Sequence, residues 1–434
     1  MLQNSMSIGP PRHAVILHNR VSRQIGRPFA LKAAEIMSKK PALKMSSASI
    51  DDKQDLLTQQ LCDLALEVAE QEDEEDQGFA GKRLELTRLI RKNLHAREDD
   101  ILYEAIERAR DTELAACELL KLNIEEAAET AIIRRGPGQT WEAHAFAIPL
   151  FARTTGGLIA EQDFQDQPAF ELLTASLKQA KLESTKARVV LINHAYHLDE
   201  IDSITYSHLN EMVRESAAAM TDKKVTATPA IEKSLFGWPV SDFAADDTAL
   251  ELRFLLGFVL ETPGDPFYEV PKDEAAADDW FAARAQRFQA WSVDAAPLVQ
   301  RCLVTDGRAC EISFLYQDMF HGAKAGGMAE LALLQMLAQL DASLQEAGIT
   351  GANASAVVGP AEKDGNSVLR VNLHTDAATA AFASAEKPFD MLGDLEMEID
   401  DVCDALGTLG IATLSIAAKF DADGAGLYVK RYAA

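Results

Sequence analysis

The chain has no uninterrupted apolar run near the ~18–20 residues that a membrane-crossing helix needs. No basic stretch leads into an apolar core with a small-residue cleavage site, so nothing marks it for secretion. Cysteines are few: Cys62, Cys117, Cys302, Cys310 and Cys403 are odd in number, scattered, and form no C-x-x-C pair. This excludes a disulfide scaffold and a paired zinc-finger arrangement, and the thiols are expected to be reduced and mostly buried in a cytoplasmic protein. There is no G-x-S-x-G, no reactive Cys–His motif, no kinase signature and no phosphate-binding loop of either common spacing. Positive charge is short as well, with 42 Lys and Arg against 68 Asp and Glu, a formal balance of −26. Such a field repels phosphate backbones and anionic lipid surfaces. Neither nucleic-acid binding by the folded body nor a membrane partner is expected.

What basic charge there is gathers at one end. Residues 1–49 hold eight Arg or Lys and one acid, Glu35. That segment lacks a sustained apolar period and reads as a disordered basic leader, within which Met37 opens a natural-looking start. From residue 50 to 130 apolar residues recur at spacings of three and four, as in Leu57, Leu61, Leu64 and Val68. This predicts a unit of three or four short helices. The run "EQEDEEDQ" inside it reads as a solvated helix end or loop.

After residue 130 strands and helices mix. "ARVVLI" and "ALELRFLLGFVLE" are continuously apolar and predict buried strands, whereas Asp364-Gly365 between two alternating stretches predicts a hairpin. The fold class expected is α+β: the helical unit (50–130), then two α+β units (131–225 and 249–434) with antiparallel or mixed sheets covered by helices on one face. "KKVTATPAIEKSLFGWPVSDFAADD" breaks all periodicity and is the expected divide.

Only "VVLINHAYHLDEID", Val189 to Asp202, resembles a site. His194, His197 and Asp199 (or Glu200) would make a legitimate two-imidazole, one-carboxylate ligand set for a divalent metal. Against that, residues three apart share a face on a helix but not on a strand, and both histidines are expected in the connection between elements. The acids have a structural reason to be there. Asp199 with Asp202 three residues on resembles an N-cap with an acid at N3, favoured by the helix dipole. His208 falls on an apolar stripe and reads as a core histidine. The architectural reading is preferred. "FHGAKAGGMAEL" reads as a glycine-rich strand-to-helix loop, and "DADGAG" as a hairpin turn lacking most ligands of a calcium loop.

Laid in order, these features resemble a known family. A helical first third leads to a strand ending at Ile148-Pro149. A Tyr-x-x-Asp step, Tyr196 to Asp199, follows a buried strand. A Leu-Arg strand, Leu252-Arg253, leads to an Asp-Pro turn, Asp265-Pro266. In this the chain resembles, over residues 55–434, the proteobacterial family called domain of unknown function 2863. The resemblance implies a cytoplasmic protein and brings no catalytic residues with it.

The function expected is therefore binding or regulation without catalysis, with a protein partner engaged through the N-terminal helices and no cofactor. Two alternatives differ in class. One is a metal-dependent, hydrolase-like enzyme centred on His194 and His197. The other is a small-molecule sensor whose ligand binds between the two α+β units.

Overall fold

The computed structural model describes residues 50–70, 77–136, 138–154, 164, 166–182, 186–221, 250–262, 271, 273–303, 310–375, 380–389 and 392–432. The expected leader (1–49), most of the acidic run (71–76), the expected divide (225–248) and the Asp265-Pro266 turn lie outside these residues. The chain forms two compact units that meet in sequence between Lys324 and Ala325. Among the described residues no helix is long and apolar enough to cross a membrane.

The first unit opens with four helices: α1 (Ile50–Ala69), α2 (Gln77–Ala96), α3 (Asp99–Thr112) and α4 (Leu114–Glu129). Their apolar stripes meet in a core of Leu61, Ala65, Leu86, Ile90, Leu102, Ile106, Cys117, Leu120 and Ile124. Burying each large aliphatic side chain contributes about 1.5–3 kcal/mol, which holds together helices that would be marginal alone. The predicted stripe is present, with Leu61 and Val68 buried and Leu57 and Leu64 half-buried.

A six-stranded antiparallel sheet follows, built on β2 (Gln139–Thr154). One side of β2 pairs with β1 (Thr130–Gly136) and then with β6 (Asp318–Met319) and β5 (Cys310–Phe314). The other side pairs with β4 (Leu250–Glu261), which in turn pairs with β3 (Arg188–His197). Pro149 explains why β5 and β6 are separate strands. Its carbonyl accepts from Leu315 N (2.9 Å), so its missing N–H faces that same side. The ladder breaks opposite it, at Leu315–Gln317. Pro149 thus stands inside β2, not at the strand end where the sequence motif placed it.

The strand Leu250–Glu261 corrects the expected division. It does not open a second α+β unit at residue 249 but lies between β2 and β3 in the first sheet. A strand apolar on both faces is stable only when flanked and covered on both, and nearly all of β4 is buried. Covering by helices on one face alone is corrected too. Helices α5 (Gln167–Gln179) and α8 (Glu274–Leu303) pack Leu173, Leu177, Phe288, Trp291 and Val299 against Phe146, Ile148, Leu150, Leu255 and Val259. Helix α7 (Tyr206–Thr221), reached from β3 through the short α6 (Leu198–Asp202), packs on β1, β2 and β4 as well as on α4.

Helix α9 (Phe320–Ala347) carries the unit boundary. The glycine-rich stretch expected as a loop lies within it. A Cβ at Gly322 would stand 2.6 Å from the Asp318 carboxylate, so the glycine leaves room for that side chain.

The second unit holds a mixed sheet ordered β13-β10-β7-β8-β9. Its strands are β7 (Ala354–Lys363), β8 (Asn366–Thr375), β9 (Ala383–Pro388), β10 (Thr413–Ile416) and β13 (Lys430–Arg431), with β10 parallel to β7. Asp364 and Gly365, both at positive φ (51° and 81°), make the predicted tight hairpin between β7 and β8. α9 supplies Met336 and Leu340, and α10 (Leu395–Thr408) supplies Val402 and Leu406, to a core with Val358, Val371 and Leu373. The small hairpin of β11 (Lys419–Phe420) and β12 (Gly426–Leu427) is turned by Asp421, whose carboxylate accepts from Asp423 N and Ala425 N. The α+β class expected from sequence is the class observed.

Candidate functional site

The end of β3 is shaped by a bulge. Leu191 pairs with Gly257 and Ala195 with Leu255, so β3 spends four residues where β4 spends two. Such insertions re-aim side chains. They place His194 in the bulge and His197 opposite Arg253. Both histidines therefore belong to the strand, not to the connection after it as expected. The strand is also antiparallel to its neighbour.

The helix start that follows differs from its prediction. The N-cap of α6 is His197, not Asp199: its Nδ1 accepts the N–H of Asp199 at 3.3 Å. Glu200, not Asp202, completes a capping box by accepting the His197 N–H at 2.8 Å. The same carboxylate, almost fully buried, lies 3.2 and 3.3 Å from His194 Nε2. Asp199 is largely solvent-exposed, with a carboxylate oxygen 3.6 Å from His197 Nδ1. The three residues of the candidate metal set are thus turned to separate tasks. His194 faces Glu200, His197 caps a helix, and Asp199 stands outside. His208, expected in the core, is exposed on α7.

Beneath the cap lies a group that the sequence reading missed. Arg253 is fully buried (0% exposed) and Glu251 nearly so (5%). Two residues apart on one strand, they share a face. Arg253 Nε and Nη2 donate to Glu251 Oε2 at 3.2 and 3.0 Å, and Nη1 reaches the Ala195 carbonyl at 3.4 Å. The guanidinium so fastens β4 to the far side of the bulge. Burial lowers the proton affinity of His197; Asp199 opposes this and Arg253 adds to it. Burial, with Glu251 nearby, pushes the Cys310 thiol up to about 11, so it is not a reactive thiolate. The signal was available in "LELRFLLGFVLE", where two opposite charges stand in an apolar run that offers them no solvent.

A second buried group gathers at the start of α9. Asp318 accepts from Met319 N at 2.7 Å, and Glu129 accepts from His321 N at 3.1 Å. The His321 ring lies 5.3 Å from that of Tyr206, and its Nε2 is buried without a hydrogen-bond partner. Burial, with Lys324 and Lys121 adding to it, holds the ring well below the ordinary histidine range, at about 3. Burial lifts Asp318 to about 6 and raises Glu129 well above the usual carboxylate range.

These shifts have opposite consequences on acidification. The unfolded chain protonates His321 near 6.5 while the folded chain does not, so its contribution is full above that pH and is lost as pH falls toward 3. The two carboxyl groups take up protons earlier when folded, which offsets part of that loss below about pH 6. Ring carbon resonances followed by NMR should show His321 neutral down to about pH 4 in the folded protein. A midpoint near 6.5 would contradict the packing described.

Chemically, neither group combines a nucleophile, a base and an acceptor for developing charge. Among the described residues no three His, Cys, Asp or Glu side chains are arranged to hold a metal ion. Compared with known proteins, residues 46–378 match a family model described as "Protein of unknown function (DUF2863)". No curated protein and no solved structure matches the chain.

Proposed function

We propose that this chain, which belongs to the DUF2863 family, acts by binding a protein partner through its N-terminal helices rather than by catalysis. One observation carries the reading: each of the four helices keeps a large apolar side chain in solvent. These are Leu56 on α1 (62% exposed), Leu84 on α2 (60%), Tyr103 on α3, and Leu114 and Leu122 on α4. Exposed apolar groups rimmed by charge are what protein interfaces use. Residues 50–130 hold 23 acids and 10 basic residues, so the partner surface is basic.

The strand-end group supports the same reading by what it leaves over. Glu200, His194, His197, Glu251 and Arg253 are engaged with one another or with backbone. A metal-dependent reaction there would first have to dismantle a helix cap. A cytoplasmic setting accords with five free cysteines, four of them buried.

The test is affinity capture with the full chain and with a Leu56→Ser/Leu84→Ser/Leu114→Ser/Leu122→Ser variant, followed by reconstitution with the purified partner. The expected result is a salt-sensitive complex whose Kd rises at least about tenfold in the variant, since a buried leucine at an interface contributes on the order of 1 kcal/mol or more. A partner held equally by both proteins, or by neither, would defeat the reading.

A further inference from the structure

Helix α2 departs from the charge pattern of the chain. Between Gln77 and Ala96 it holds Lys82, Arg83, Arg88, Arg91 and Lys92 against a single acid, Glu85, and Arg97 follows directly. Several of these charges are matched at short range. Lys82 meets Glu67 at 3.3 Å, Arg88 meets Glu85 at 2.6 Å, and Arg97 meets Glu211 of α7 at 2.6 Å. Arg91 and Lys92 make no ion pair among the described residues. Both are exposed, and with Arg88 and His95 they line one outward face at spacings of three and four.

Arg214 brings a further cation to this face from another element. The Arg97–Glu211 pair ties the end of α2 to α7, and Arg214 stands one helical turn beyond Glu211. It is exposed and, like Arg91, has no ion pair among the described residues. The juxtaposition registers on His95. Partial burial first lowers its proton affinity, and then Arg214 and Arg91 lower it further, so both guanidinium groups act on the ring. A cation in the last turn of a helix also answers its dipole, which accounts for His95 but not for Arg91 and Lys92 further back. Nor does it account for Arg214, which lies in the middle of α7.

We propose that Arg91, Lys92 and His95 of α2, with Arg214 of α7, bind a small multivalent anion of the di- or triphosphate class. Guanidinium forks match phosphate oxygens two at a time, and the ammonium and imidazole add donors around them. Size follows from screening. Charges beyond about 8 Å are largely screened at physiological salt, so a compact anion feels the local patch. A long nucleic acid would have to cross the acidic remainder of a chain whose formal balance is −26. This inference goes beyond the partner-binding reading and stands without it.

Calorimetry of the full chain with inorganic triphosphate at physiological salt tests it. Saturable one-to-one binding is expected, weakened at least tenfold in Arg91→Ala/Arg214→Ala. Lys430→Ala/Arg431→Ala, which removes the same charge from the second unit, should bind as the unaltered protein does. In the unaltered protein triphosphate should also raise the midpoint of the His95 ring titration, a readout independent of whether the variants fold. Absence of saturable binding, equal losses in the two variants, or an unmoved His95 midpoint would each overturn the proposal. So would binding confined to a single-stranded oligonucleotide or to phosphatidylglycerol vesicles.

Discussion

Arg253→Ala should cost about 3–5 kcal/mol of stability, the range for removing one partner of a buried ion pair. Glu251 would keep its charge and its burial while losing both hydrogen bonds to its carboxylate. The Ala195 carbonyl would lose a donor at the bulge. Coulomb attraction is not the main quantity, since a buried pair roughly offsets its own desolvation. The penalty comes from the partner left behind. A Glu251→Leu/Arg253→Met variant removes both charges and should therefore recover most of the loss. Arg253→Lys should fall between, because an ammonium cannot reproduce the planar fork. Urea unfolding of the four proteins measures this. A loss under about 1 kcal/mol for Arg253→Ala would mean that the pair does not hold the bulge.

Gly257→Val should be comparably damaging, at about 3 kcal/mol or more, near the upper end for overpacking a core. Gly257 stands opposite Phe146 in the β2–β4 register, and a Cβ there would meet the ring at 2.2, 2.6 and 2.8 Å. The aromatic ring covers the glycine backbone in a strand buried on both faces. Neither can yield, because Phe146 is itself packed in the core with Leu255 and Val259. Phe146→Ala alone should cost about 3–5 kcal/mol through the cavity it leaves. In that background the valine has room, so the double variant should cost clearly less than the sum of the two. Additive losses would show that ring and glycine are not in contact.

These two positions also mark how far the sequence could be read. The apolar run Leu250–Glu261 was legible as a buried strand because no solvent-facing alternation interrupts it. Its place between β2 and β3 was not, since the pairing joins segments far apart in sequence and nothing local encodes it. The hairpin at Asp364-Gly365 was legible because few residues accept two successive positive φ angles. Pro149 misled: proline is expected at strand ends, and here the opposite strand breaks instead.

At the candidate site His194, His197 and the acids stood out in the sequence, whereas Glu251, Arg253 and the place of the cap did not. Acids after Tyr196 announced a helix start, yet the bulge shifted the cap to His197, a residue seldom expected there. Gly322, Gly326 and Gly327 read as a loop because glycine is a poor helix former by about 1 kcal/mol each. Tertiary packing overrides that preference, at Gly322 to admit Asp318.

We propose that His194 and His197 serve the architecture of the strand end, with Asp199 left in solvent. Protein purified without a histidine tag, equilibrated with zinc and then desalted, tests it by elemental analysis alongside a His194→Ala/His197→Ala variant. Well under one equivalent of metal in both proteins is the predicted result. One equivalent in the unaltered protein that disappears in the variant would contradict it.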